Sequence, residues 1–284
     1  MTTTAQIFET FKSKLLNIYD VNEAEQITVL AFENVLNYRR IDISLFKDKS
    51  IELDKENRFH EILSQLEAGK PIQYILGYSW FYGMKLFVNK NVLIPRRETE
   101  ELVQWIIQDF AKSEKKDITI YDICTGCGCI ALSLKKEFPK SQIFATDVSA
   151  EALAVAKKNS VNENLSIQFI QMDALAMTEK ANPHIIVSNP PYILSRERKS
   201  MDRRVVDFEP ALALFVPDDD PLIFYRKISD WAFINLVSGG KLYFEINESM
   251  SDKISKLLSE SGFSTIDVRK DLQEKFRMFR AIKS

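Results

Sequence analysis

Histidine, cysteine and glycine are scarce in this chain, and each scarcity excludes something. The two histidines, His60 and His184, stand far apart, and the three cysteines, Cys124, Cys127 and Cys129, crowd into six residues. An odd, clustered set of thiols is a poor disulfide framework and agrees with a reducing compartment. Cys124-x-x-Cys127 invites a metal reading, but a structural zinc site needs four ligands, and neither histidine stands at a ligand-like spacing from the thiols. No metal is expected; small side chains at a tight turn are the simpler reading. Eight glycines and nine prolines in 284 residues leave no room for long disordered tracts. No apolar run approaches roughly 18 residues, and no basic stretch followed by an apolar core opens the chain, so a cytoplasmic location is expected. Charge of neither sign dominates: a net charge of −2 supplies no basic field, and direct nucleic-acid binding is not expected. What is present, 45% hydrophobic residues, is ample for a sizeable core, and the length allows two domains.

The first 77 residues carry helical stripes. Phe8, Phe11, Leu15, Leu16 and Tyr19 form one, Ile27, Leu30, Ala31, Val35 and Leu36 a second, and Phe59, Ile62, Leu63 and Leu66 a third. A small helical domain is expected over 1–77. Residues 78–88 are β-prone on both sides of Gly83, which predicts a hairpin and places a linker at 78–94. The remainder, 95–284, opens on an amphipathic helix carrying Leu102, Val103, Ile106, Ile107 and Phe110. Strands are then expected at 118–123, 142–146, 166–170, 184–188 and 240–246, with helices at about 129–138, 150–160 and 221–237. That alternation specifies an α/β fold with a mostly parallel sheet covered on both faces. The last two expected strands, 264–268 and 276–282, are joined too closely for a crossover and must pair antiparallel.

Two segments carry chemistry. Ile118 to Ala131 runs from a strand through Cys124-Thr125-Gly126-Cys127-Gly128 into a helix. Gly126 and Gly128 supply torsions and a close backbone approach that a Cβ would block. Gly126-x-Gly128-x-x-Ala131 fits a dinucleotide fingerprint, and Asp147 ends the next strand, where a carboxylate takes ribose hydroxyls. Asp122, just before the turn, would meet a pyrophosphate badly but suits an amino group and a sulfonium. Asp173, followed by Ala174, closes the third strand and can accept from an adenine amino group. Three carboxylates on successive strand ends favour a cationic nucleoside such as S-adenosylmethionine; a solvated cap or helix N-cap is the alternative for any one of them alone. The second segment is Asn189-Pro190-Pro191-Tyr192, directly after the apolar strand ending at Ser188. Strand ends of open α/β sheets bind ligands, and two prolines stiffen this one. The Asn189 oxygen and the Pro190 carbonyl are two acceptors suited to a planar NH₂ group, with the Tyr192 ring over its plane. A plain strand-terminating turn is the alternative.

Asp122-x-x-Thr125-Gly126-x-Gly128, Asp147 and Asn189–Tyr192 resemble the class I S-adenosylmethionine-dependent amino-methyltransferases. Six further segments, Pro71–Gly77, Phe81–Gly83, Leu93–Glu100, Phe208–Leu214, Phe224–Arg226 and Gly239–Ile246, with Asp271 and Arg277, are similar to the release factor N5-glutamine methyltransferases, the PrmC/HemK family. The resemblance implies a helical substrate-recognition domain, a hairpin linker and a class I methyltransferase domain with an antiparallel C-terminal strand, acting as a monomer. It implies cofactor contacts at Asp122, Cys124, Thr125, Gly126, Cys127, Gly128, Asp147, Asp173, Ala174 and Asn189, substrate contacts at Asn189, Pro190, Pro191 and Tyr192, and catalytic roles for Asn189, Pro190 and Tyr192. The implied reaction methylates the glutamine of the Gly-Gly-Gln motif in class 1 release factors, yielding N5-methylglutamine and S-adenosylhomocysteine. The sequence departs from the family at Cys124, Arg97, Pro221 and Asn247. Cys124 stands where the turn's first glycine is usual, so it is expected to avoid a glycine-only torsion.

Rival readings are a DNA adenine or cytosine amino-methyltransferase, which needs a basic groove, and an NAD-dependent oxidoreductase, which leaves Asp122 and the Asn189 tetrad unexplained. A binding-only role is a third. His184 is read as a strand residue. Arg196, Arg198, Lys199, Arg203 and Arg204 are a solvated loop or a docking surface, beside an acidic run, Asp218–Asp220, able to pair with them.

Overall fold

Side-chain caps open the first two long helices, each a turn or more before its apolar stripe. The structure is a computed structural model that describes residues 2–110 and 117–284. Helix α1 (Thr4–Leu15) opens on Thr3, whose hydroxyl and the Gln6 side chain form a reciprocal capping box. Asp20 caps α2 (Val21–Leu36) by accepting from the Asn22 and Glu23 amides, and Asn37 ends it in the left-handed conformation. Two short helices, α3 (Arg40–Leu45) and α5 (Ile72–Leu76), flank α4 (Leu53–Glu67) and are not visible as periodic stripes. The rings of Phe11, Phe32 and Phe59 meet in the core, with Ile62, Leu63 and Leu66 of α4 beneath them. Leu16, part of the expected first stripe, is the C-cap of α1 and faces out.

The chain divides into two units, each described by itself: one runs to Gly77 and takes in Arg203–Phe208, and the other comprises Tyr78–Asp202 and Glu209–Ser284. Two expected boundaries therefore differ. The helix Arg203–Phe208 groups with the helical unit, where Arg204 reaches Glu23 and the Tyr19 ring. The hairpin, β1 (Tyr78–Phe81) and β2 (Met84–Phe87), groups with the α/β unit. Its turn residues Tyr82 and Gly83 both take positive φ, 48° and 71°, as a tight two-residue hairpin demands. Asn159 clamps Phe87 on both backbone groups, at 2.7 and 3.0 Å, which makes the hairpin part of the unit rather than a free linker.

The α/β unit continues with α6 (Arg97–Phe110), β3 (Thr119–Ile123), α7 (Cys129–Glu137), β4 (Gln142–Asp147), α8 (Ala150–Asn162), β5 (Gln168–Gln171) and β6 (Ile185–Ser188). A two-residue pair, β7 (Ile193–Leu194) and β8 (Phe215–Val216), brackets α9 (Arg203–Phe208) and α10 (Ala211–Leu214). Then come α11 (Ile223–Asn235), β9 (Lys241–Glu245), α12 (Ser251–Glu260), β10 (Ser264–Lys270) and β11 (Phe276–Ile282). The main sheet has the order β10-β11-β9-β6-β3-β4-β5, with β11 antiparallel to both neighbours and the other pairs parallel. The antiparallel tail follows from its short connection, as expected. Helix α12 was not expected from the pattern, although Ile254 and Leu258 lie fully buried on it. Between β3 and β6 the strand order reverses, so loops leaving their carboxyl ends diverge and open a crevice.

Candidate active site

The register of β3 and β6 sets the site. Ile123 pairs with Ser188, so Cys124 and Asn189 leave the sheet side by side, and the Ser188 hydroxyl donates to the Ile123 carbonyl at 2.7 Å. A cavity of about 470 Å³ opens there, within the range of small-molecule sites. Its wall includes Cys124–Cys127, Cys129, Asp147, Asp173, Ala174, Asn189 and Pro191.

The turn after β3 is held by carboxylates behind and beside it. Asp122 is fully buried; its Oδ2 accepts from the Thr125 hydroxyl at 2.6 Å and from the Ala131 amide at 3.1 Å, at the start of α7. It does not line the cavity, so the expected direct contact with a cationic ligand gives way to support of the turn from beneath. Burial pushes its carboxyl up to about 7, and its Oδ1 is buried without a hydrogen-bond partner. Asp147 does face the cavity. Its Oδ2 accepts from the Gly126 amide at 2.9 Å and its Oδ1 from the Ser149 amide at 3.0 Å, while burial raises its pKa. Each oxygen keeps acceptor capacity for a ligand. Asp173 is exposed on the rim, with Oδ1 accepting from the Leu175 amide at 2.9 Å.

Backbone torsion corrects one expectation. Cys124 takes φ = 63°, in the left-handed region it was expected to avoid. A non-glycine residue there costs roughly 1–2 kcal/mol, offset by the fixed geometry around it. The Thr125 amide donates to the Thr146 carbonyl at 2.9 Å, which pins the chain directly after Cys124. At Gly128, with φ = 85°, an added Cβ would lie 3.2 Å from Ala156 Cβ, so glycine is required both by torsion and by the approach of α8. All three thiols are reduced; burial raises the pKa of Cys124, against reactive thiol chemistry. Among the described residues no cluster of ligating side chains could hold a metal.

The corner after β6 is held by side chains instead. Asn189 Nδ2 donates to Thr99 Oγ1 at 3.3 Å, and Thr99 Oγ1 donates to Glu245 Oε2 at 2.6 Å. The Tyr192 hydroxyl donates to Glu245 Oε1 at 3.4 Å. Tyr192 therefore supports the corner; neither it nor Pro190 is part of the cavity wall, whereas Asn189, Pro191 and Thr99 are. Glu245 is buried, and burial pushes its carboxyl up to about 7. Glu209, also buried, accepts from the Ile94 amide and pairs with Arg96, joining the Leu93–Glu100 segment to the chain before Pro210. Thr99, Glu245 and Glu209 carried no individual signal; they are ordinary polar residues whose meaning comes only from being brought together.

The remaining candidates are placed as follows. His184 accepts from the Thr119 amide through Nδ1 at 3.1 Å, at the far end of the strands from the cavity. Of the cationic residues after the tetrad, Arg198 lies over the Phe215 ring and Arg203 pairs with Asp207. The acidic run is partly engaged: Asp218 accepts from the Arg196 amide and Asp220 pairs with Arg226. Among the described residues no helix is long and apolar enough to cross a membrane.

Comparison with known proteins agrees with this geometry. Residues 6–77 match the model of the PrmC N-terminal domain, and residues 98–207 that of the methyltransferase small domain. The chain is 43% identical to a release factor glutamine methyltransferase of Flavobacterium psychrophilum, over 95% of each chain. It is 38% identical to one of Bacteroides thetaiotaomicron, over 95% of this chain and 96% of the other. A 16S rRNA N2 methyltransferase of T. thermophilus, solved with AdoMet and guanosine, shares the fold at 16% identity and a TM-score of 0.53, covering 73% of this chain and 50% of that one. The chain belongs to the release factor glutamine methyltransferase family.

Proposed function

We propose that this protein methylates the side-chain amide nitrogen, N5, of the glutamine in the Gly-Gly-Gln motif of class 1 release factors, using S-adenosylmethionine. The observation that carries the reading is an Asn189 carboxamide set on the cavity wall beside the Cys124–Gly128 turn, in a chain of this family. The residues present fit the methyl donor. The cavity is large enough, Asp147 retains acceptor capacity for two ribose hydroxyls, Asp173 and Ala174 stand on the adjoining rim, and Gly126 keeps the backbone open to a close ligand. The buried Asp122 carboxyl beneath the turn adds negative potential to the site when it is ionised. When bound, S-adenosylmethionine supplies an electrophilic methyl group.

The protein's part is to aim a poor nucleophile. An amide lone pair is delocalised into its carbonyl, and no histidine lines the cavity to act as base. The Asn189 oxygen, on the cavity wall, accepts one of the amide hydrogens, which fixes the nitrogen and draws electron density onto it. Orientation of this kind is worth up to ~7–11 kcal/mol in favourable intramolecular cases. Tyr192 has its hydroxyl committed to Glu245, so its contribution is to hold the corner. The proton leaving the methylated nitrogen passes from the Asn189 oxygen to water.

The test is incubation with radiolabelled S-adenosylmethionine, offering a purified release factor and, separately, duplex DNA. Label on the release factor is expected. Label on DNA alone would transfer the assignment to a base amine.

A further inference from the structure

The two ends of an asparagine carboxamide are alike in size and opposite in hydrogen-bonding sense. Only the oxygen can accept from a substrate N–H, so some neighbour must decide which end faces the cavity. Asn189 leaves β6 directly after Ser188, and Ser188 pairs across to Phe244 of β9, so Glu245 lies at the same level of the sheet. Thr99, in the first turn of α6, bridges the two: it donates to Glu245 at 2.6 Å and receives Asn189 Nδ2 at 3.3 Å.

With Glu245 ionised, the direction of this chain of hydrogen bonds is fixed. A carboxylate only accepts, so the single Thr99 hydroxyl proton goes to Glu245 Oε2. What Thr99 then offers Asn189 is lone pairs. These receive Nδ2 and repel Oδ1, and a flipped carboxamide would set acceptor against acceptor. Protonation of the carboxyl on Oε1, the oxygen facing Tyr192, leaves Oε2 an acceptor and the direction unchanged.

We infer that Thr99 and Glu245 are positioning residues: a relay from Glu245 through Thr99 holds the Asn189 nitrogen inward and thereby turns its oxygen toward the substrate amide. This rests on the glutamine-methylating reading for the identity of the substrate, though the relay itself can be observed without any substrate. An Asn189 side chain alone would not suffice; it must arrive already oriented, because a carboxamide free to flip presents donors to a donor for part of the time.

The experiment compares Thr99→Val, which keeps the shape and removes the hydroxyl, with Thr99→Ser, which restores it. Two readouts are taken on folded protein: steady-state methylation of release factor, and hydrogen exchange of the Asn189 side-chain amide in asparagine-labelled protein, its signal assigned by its loss in Asn189→Ala. Thr99→Val is expected to lower kcat roughly tenfold with KM for both substrates within about twofold, and to speed Asn189 amide exchange at least about fivefold. Thr99→Ser should recover most of both. Wild-type kcat and exchange in Thr99→Val would overturn the relay, as would a loss that appears in KM or that Thr99→Ser does not recover. A wild-type protein that leaves release factor unmethylated would defeat the functional reading alone, since the exchange comparison still reports on the relay.

Discussion

The two corners of the cavity leave neighbouring strands side by side yet are built on opposite plans. After β3, carboxylates accept from backbone amides: Asp122 takes Ala131 and Asp147 takes Gly126 and Ser149, and the chain itself is bent through positive φ at Cys124, Gly126 and Gly128. After β6, prolines stiffen the chain and a carboxylate, Glu245, accepts from the hydroxyls of Thr99 and Tyr192. One corner shapes backbone so that a ligand can come close. The other aims a single side chain. The difference teaches that binding and chemistry should be separable by mutation even though the strands that carry them are neighbours.

The largest expected effect lies at the second corner. Asn189→Ala should lower kcat on the order of a thousandfold while calorimetric binding of S-adenosylmethionine stays within a few-fold. Asp147→Ala should do the reverse at the first corner, weakening S-adenosylmethionine binding on the order of a hundredfold through lost hydrogen bonds to a carboxylate, with single-turnover rate at saturation largely kept. Equal losses in both assays for either variant would dissolve the comparison.

A shared property gives the next prediction. Each corner hides one carboxyl that burial pushes up to about 7, Asp122 in one and Glu245 in the other. Both folded values lie above the ordinary carboxylate range, so between that range and about 7 the folded state holds more protons than the unfolded state. Stability should therefore be greatest on the acid side of this window and fall as pH rises through it, by a few kcal/mol at most for each group (about 1.4 kcal/mol for each unit of raised pKa). Denaturant unfolding at several pH values should show that slope, and it should become shallower in Glu245→Gln and in Asp122→Asn. The smallest effect is expected at Cys124. Replacement by glycine relieves a left-handed torsion but loosens the unfolded chain, so stability should move by less than about 1 kcal/mol in either direction. Unfolding midpoints of the two proteins check this.

Much of this was legible in sequence because period-two and period-3.6 patterns are local. Strands β3, β4, β5, β6 and β9 lie within a few residues of their expected ranges, the short pair β7 and β8 was not expected, and the antiparallel tail follows from the length of one connection. The tetrad and the Gly126-x-Gly128 turn were legible because proline and glycine fix torsions that few other residues take. The rest was hidden for physical reasons. Asp122 and Asp147 look alike along the chain, and only the sheet shows that one supports the turn from below while the other faces the cavity. Thr99 and Glu245 are 146 residues apart, and their hydrogen bond exists only because α6 and β9 meet in the fold. The grouping of Arg203–Phe208 with the helical unit likewise depends on tertiary contacts that no short window contains, whereas the i, i+4 pair Ile254 and Leu258 of α12 is a local pattern that went unread.

The most direct test of the account is to map the methyl group itself. A purified class 1 release factor would be incubated with the protein and S-adenosylmethionine, digested, and its peptides sequenced by tandem mass spectrometry, with Asn189→Ala run in parallel. The account predicts one added methyl on the side-chain nitrogen of the Gly-Gly-Gln glutamine with wild-type protein and none with Asn189→Ala. A methyl group on any other residue, or equal methylation by the variant, would contradict it.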